Sequence, residues 1–168
     1  AKKDITTTTA IRLMLDKAAT VDEAVSLLEQ YDMHSSAGSC YHFQLADAAG
    51  NSAVVEYIDN EFVVLKADEG YQMATNFLLS DKKFNFGTGQ DRYGILESSL
   101  NRGCGVVKDE QAGMDLLQAA SKDWRVSETS GRLNATQWSI VFNCTDLTAK
   151  VVTGRQYDKP AHIFSLTQ

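Results

Sequence analysis

Four short apolar runs, separated by turn-forming residues, occupy the middle of the chain and constrain its fold most. They cover residues 41–46, 53–58, 62–65 and 71–75. Gly50, Asn60 and Gly70 lie in the gaps between them, and these residue types favour tight turns. Because short connections join neighbouring antiparallel strands, this spacing predicts a four-stranded antiparallel meander.

Helical patterns flank this meander. Thr8 or Thr9 is predicted to cap a first helix, which would bury one face formed by Ile11, Met14, Leu15 and Ala18. The residues from Thr20 to Glu23 form a capping box and predict the start of a second helix. Residues 32–38 read as a loop. Two further helices are expected over residues 91–101 and 110–120.

Strands near residues 137–143, 149–153 and 161–165 close the chain. The first two are expected to lie in a second sheet packed on the meander. Helices, a meander, helices and a second meander favour an α+β fold over a parallel βαβ arrangement. The length of 168 residues predicts one domain over residues 1–168.

Composition excludes several function classes. The formal net charge of −6 argues against nucleic acid and anionic membranes as partners, since both attract basic surfaces. No apolar run approaches the roughly 20 residues that a membrane-spanning helix needs. The three cysteines are scattered without metal-binding spacing, so we expect free thiols, a cytoplasmic location, and no metal or cofactor.

The stretch from Tyr71 to Leu100 carries the best candidate site. Asn76 is predicted to lie where the fourth strand ends, and Arg92 is predicted in the first turn of the next helix. An amide NH2 and a planar guanidinium are groups that an acyl-transfer site needs beside its nucleophile. The alternative is that Asn76 caps a turn and Arg92 forms a surface ion pair.

Other polar groups allow a second interpretation. Cys40 and His42 can be imagined as nucleophile and base, although a core thiol fits Cys40 better. His34 is expected in a surface loop. Glu56 can point inward, but a carboxylate at such a position more often lies on the solvated face of a sheet. The glycines Gly87 and Gly89 lack the order of a phosphate-binding loop.

Several segments together resemble a known family. They are YHFQLADAAGNSAVVEY, YQMATNF, GQDRYGIL, TQWSIVFNCTDL and YDKPAHIFSL. In order and spacing they are similar to the C-terminal part of the choloylglycine hydrolase and penicillin acylase-like group. That group belongs to the N-terminal-nucleophile hydrolases, and it is related to the acyltransferase and acid-ceramidase branch. The resemblance runs from about Thr6 to Leu166.

This resemblance implies an αββα fold, in which two stacked antiparallel sheets lie between helix layers. It also implies hydrolysis of linear amide C–N bonds by an N-terminal cysteine whose own α-amino group is the base. Asn76 matches the asparagine that holds the amino end and the oxyanion. Arg92 matches the arginine beside the thiol and a companion aspartate. A nearby guanidinium stabilises a thiolate, which is the nucleophilic form.

The chain departs from this family at its start, because Ala1 is not a nucleophile. We therefore expect the C-terminal portion of an enzyme, with the catalytic segment in a separate chain or removed. The chain alone is expected to be inactive and to form homo-oligomers or bind the missing segment, since uncovered sheet faces and edges favour association. The expected substrate is a small-molecule amide.

Two other functions stay open at this level. One is a non-catalytic α+β module that binds a ligand or a protein, and the residue that starts the upstream segment discriminates it from the enzyme. The other is a complete hydrolase that depends on Cys40. That hypothesis requires activity in this chain that is lost on Cys40→Ser.

Overall fold

The computed structural model describes residues 2–34, 41–58, 61–68, 70–80, 87–126, 131, 133–165 and 167. Contacts between residues divide the chain into two compact units, Ala1–Gln90 and Asp91–Gln168. The prediction of one domain over residues 1–168 stays a prediction. Among the described residues, no helix combines the length and the apolar character needed to cross a membrane.

The first unit contains two helices and several short strands. In chain order its described elements are β1 (Lys3–Thr6), α1 (Thr7–Lys17), α2 (Val21–Leu28), β2 (Tyr31–His34), β3 (His42–Ala46), β4 (Ser52–Ile58), β5 (Glu61–Lys66), β6 (Asn76–Phe77) and β7 (Gly87–Thr88). Strands β1 and β2 form a parallel pair that the sequence did not predict. The predicted loop over residues 32–38 is therefore wrong for residues 32–34, and residues 35–38 lie outside the described part.

Helix α2 begins as its sequence predicts. The Thr20 side chain accepts a hydrogen bond from the Glu23 amide, and the Glu23 carboxylate accepts one from the Thr20 amide. The amide of Val21 also donates to Asp47 Oδ2 at 3.0 Å, which ties the helix start to the turn between β3 and β4. This turn therefore positions α2 on the sheet.

Helices α1 and α2 pack on one face of the sheet formed by β3, β4 and β5. The core cluster combines residues of both helices, of the parallel pair and of β4: Ile5, Ala10, Met14, Ala24, Leu28, Met33 and Val55. In α1 the buried residues are Ala10 and Met14, whereas Ile11 and Leu15 are exposed. The predicted buried face of α1 is thus confirmed for Met14 and wrong for Ile11 and Leu15.

The central sheet has the predicted antiparallel order for three of its four expected strands. Strand β4 pairs with β3 and with β5, and His42 lies opposite Glu56 in the register. Residues 71–75 are not a strand, so the prediction of a fourth strand is wrong. The Gln72 side chain donates to the Leu65 carbonyl at 2.7 Å, and the Gln44 side chain donates to the Gln72 carbonyl at 2.8 Å. Side-chain bonds thus attach this segment to the sheet.

The second unit begins with two helices and continues with strands. Its described elements are α3 (Gln90–Arg102), α4 (Glu110–Ala119), β8 (Arg125–Val126), β9 (Leu133–Asn134), β10 (Trp138–Asn143), β11 (Thr148–Thr153) and β12 (His162–Ser165). Strands β10, β11 and β12 form an antiparallel sheet in chain order, as predicted. Helix α4 packs on β10, and Glu110 accepts hydrogen bonds from Asn143 and Thr148.

Candidate active site

Asn76 lies on a short antiparallel ladder. It is the first residue of β6 and is paired with Thr88 of β7, and its residue surface is exposed. Just before it, the Thr75 hydroxyl donates to the Gly89 carbonyl at 3.1 Å. Gly89 is buried and has φ +100, a backbone conformation that L side chains rarely adopt. Asn76 therefore starts a strand rather than ending one, but it still lies on a fixed backbone.

The segment after Asn76 is held by the buried carboxylate of Glu56. Oε1 of Glu56 accepts from the Leu79 amide at 2.7 Å, and Oε2 accepts from the Ser80 amide at 2.9 Å. The Ser80 hydroxyl donates to Oε2 at 2.5 Å. Glu56 has no exposed surface, so the prediction that it faces solvent is wrong.

His42 completes the surroundings of this carboxylate. Its Nδ1 lies 3.3 Å from Glu56 Oε1, across the β3–β4 register. Burial raises the pKa of Glu56, but the hydrogen bonds from Ser80, Leu79 and His42 outweigh burial and hold its pKa below the ordinary value. The carboxylate is thus ionised at neutral pH, with four donors around it. We name this group, Glu56 with His42, Leu79 and Ser80, the Glu56 clamp.

Sequence reasoning missed the Glu56 clamp, although a signal was present. Glu56 follows three apolar residues in a strand, and all four of these positions are buried. An uninterrupted apolar run predicts a strand covered on both faces, where a carboxylate needs hydrogen-bond partners. This pattern is the sequence signal from which a buried, partnered Glu56 could have been predicted.

Arg92 lies in the second unit, as the third residue of α3. Its helix begins at Gln90, and its residue surface is half-buried. The predicted place of Arg92 in the first helical turn is therefore confirmed. Its predicted contact with a thiol and a carboxylate stays a prediction.

The other sequence candidates lie elsewhere. Cys40 lies outside the described residues. His34 is exposed, as predicted, but belongs to β2 rather than to a loop. Its Nε2 lies 3.6 Å from Asp4 Oδ1 and 3.8 Å from Asp32 Oδ2. These three groups are close enough to share a cation, but they lie at a largely exposed place on the parallel strand pair, where such polar clusters are common without an ion.

Comparison with known proteins identifies a matching family and a curated relative. A model of the family described as acyl-coenzyme A:6-aminopenicillanic acid acyl-transferase matches residues 2–157. A penicillin V acylase from Pectobacterium atrosepticum is 33% identical over an alignment of 89 positions, and the match covers 48% of this chain and 23% of that protein. The chain thus matches under a quarter of the length of this curated relative.

Solved structures show the same fold. The penicillin V acylase from Agrobacterium tumefaciens superposes with a TM-score of 0.65 and 19% identity, over 99% of this chain and 58% of that one. A variant of the conjugated bile acid hydrolase from Clostridium perfringens superposes with a TM-score of 0.71 and 13% identity, over 99% of this chain and 64% of that one. These similarities confirm the predicted α+β fold class. The chain spans about 60% of either structure.

Proposed function

We propose a function from the premise that this chain belongs to the acyl-coenzyme A:6-aminopenicillanic acid acyl-transferase family. The chain is the C-terminal portion of an enzyme that hydrolyses linear amide C–N bonds. Its nucleophile is an N-terminal cysteine that this sequence does not contain. The similarity to penicillin V acylases and to a conjugated bile acid hydrolase supports this choice of reaction.

The proposed chemistry has two covalent steps. The cysteine thiolate attacks the amide carbonyl, and its α-amino group, which took the thiol proton, gives that proton to the leaving amine. Water then attacks the thioester and releases the acid, while the thiol regains its proton. The Asn76 amide donates to the oxyanion that forms in each step, and Arg92 stabilises the thiolate and its companion aspartate.

One observation carries the assignment of Asn76. Its residue is exposed, yet its backbone is fixed by the β6–β7 ladder, by the Thr75–Gly89 bond and, shortly after it, by the Glu56 clamp. An oxyanion donor must be preorganised, because a donor that has to move during the reaction loses much of its effect. A surface asparagine needs no such support on both sides.

Replacement of Asn76 tests the proposal. In the full-length protein that contains this chain, Asn76→Ala should lower kcat about a hundredfold while the unfolding free energy stays within about 1 kcal/mol of wild type. Penicillin V and a conjugated bile acid are the first substrates to assay, by release of the free amine. Asn134→Ala is the matched control, since Asn134 is also an exposed asparagine on a two-residue antiparallel strand.

Normal turnover in Asn76→Ala, together with normal turnover in the control, would remove Asn76 from the site. If, instead, the wild-type protein releases no amine from any amide tested, the non-catalytic module becomes the better description of this chain.

A further inference from the structure

We propose that Glu56 is a positioning residue for Asn76, acting through the backbone of Leu79 and Ser80. The inference deepens the proposed function and rests on it, because it requires that Asn76 contact the reacting carbonyl. Three of the four donors to the Glu56 carboxylate come from Leu79 and Ser80. These two residues follow Asn76 by three and four positions.

The scaffold on which Glu56 stands is rigid. Strand β4 is the centre of its sheet, paired on one side with β3 and on the other with β5. Val54 and Val55 beside Glu56 are fully buried. A side chain fixed on such a strand can hold another segment at a constant position, since sheets with covered faces deform little.

The Glu56 clamp binds the backbone just after the β6–β7 ladder ends. Strand β6 ends at Phe77, and the next fixed points along the chain are the amides of Leu79 and Ser80. A carboxylate is suited to this task because its two oxygens accept from several donors at once. His42 approaches Oε1 from the neighbouring strand, so the carboxylate is held from a second direction.

Geometry therefore makes the orientation of Asn76 depend on Glu56. The ladder fixes Asn76 from β7, and the clamp fixes the chain that leaves β6. Loss of the clamp frees one end of this segment, and a displacement of about 1 Å at a catalytic group can lower the rate by up to about a hundredfold.

A double-mutant cycle in the full-length enzyme tests this coupling. The kcat and KM of Glu56→Gln are measured in the wild-type background and in the Asn76→Ala background. We expect a fall in kcat of about tenfold, with little change in KM, only where Asn76 is present. In the Asn76→Ala background the same substitution should change kcat less than about twofold, because the positioned group is gone. Glu61→Gln is the control, an exposed glutamate on β5 of the same sheet.

Each outcome of the double-mutant cycle either supports or overturns the positioning role of Glu56. Equal falls in both backgrounds, or no fall in either, would overturn the positioning role while Asn76 keeps its own. Normal kcat in Asn76→Ala alone would overturn the proposed site and this inference together. If Glu56→Gln does not fold, Ser80→Ala replaces it in the cycle, with an expected fall of about threefold that again requires Asn76. Equal falls for Ser80→Ala in both backgrounds would overturn the inference.

Discussion

Replacing the Glu56 carboxylate by an amide should lower the unfolding free energy by an amount that depends on pH. In Glu56→Gln, one carboxylate oxygen becomes an NH2 group that faces either Leu79 or Ser80. The Ser80 hydroxyl can rotate and accept, and His42 Nδ1 can accept in the other ring tautomer, but a backbone N–H cannot accept. In either orientation one buried backbone donor loses its acceptor, and the remaining hydrogen bonds are made to a neutral oxygen instead of a charged one. We expect a loss of about 3 kcal/mol in unfolding free energy at neutral pH.

The sign of the pH dependence follows from the lowered pKa of Glu56. The ordinary pKa is 4.5, and the folded value lies below it. On acidification the unfolded state therefore takes up its proton first. The stabilisation by the carboxylate is complete above the unfolded pKa and is lost as the pH falls through the folded pKa. A protonated Glu56 resembles glutamine in having one acceptor oxygen, so the difference between wild type and Glu56→Gln should shrink toward zero.

Urea unfolding near pH 7, 5 and 3.5 measures this difference. Glu61→Gln serves as the control and should follow wild type at each pH, since its exposed carboxylate has no comparable desolvation to compensate. The comparison is repeated in a His42→Gln background, because His42 contacts the same carboxylate. The reasoning is refuted if wild type and Glu56→Gln lose stability in parallel, with a constant difference from pH 7 to pH 3.5.

Two arginines give further predictions. Arg92→Lys in the full-length enzyme should lower kcat at least tenfold and raise the pKa of the reactive thiol, because lysine lacks the planar fork. Arg102→Lys, at the other end of α3, should change neither quantity. Unchanged values in Arg92→Lys would remove Arg92 from the proposed site. Arg155→Ala should lower the urea unfolding free energy by about 2 kcal/mol, because its guanidinium, 19% exposed, contacts Asp123 and neighbouring residues. Arg12→Ala should lower the unfolding free energy by less than about 1 kcal/mol, because its ion pair with Asp16 is largely exposed. Equal losses in the two variants would contradict the expected difference between the half-buried and the exposed arginine.

Local signals predicted the described helices and the strands of the two three-stranded sheets. The capping box at Thr20 and Glu23 marked a helix start because its two hydrogen bonds form within four residues. The turn around Gly50 was predictable for a similar reason, since Asp47 binds the amides of Ala49 and Asn51 within the turn itself. Such features depend on residues that are neighbours in the sequence, so the sequence alone is enough to predict them.

Features that depend on distant partners were predicted poorly. Helix α1 has apolar residues on more than one face, and only its packing against α2 and the parallel strands selects Ala10 and Met14 over Ile11 and Leu15. The strand predicted over residues 71–75 failed for a comparable reason. Its apolar character fits a strand, but Gln72 attaches it to the sheet through side-chain bonds.

The candidate site divides along the same line. Asn76 and Arg92 were recognisable because a family motif carries them, although the motif says nothing of how Asn76 is held. Glu56 was visible only as a carboxylate in an apolar strand, and two of its four donors are backbone amides 23 and 24 residues later. Since every residue but proline offers such an amide, no residue type marks these two partners. The structure is therefore needed to connect Glu56 to Asn76, and the double-mutant cycle is the measurement that tells whether this connection acts in catalysis.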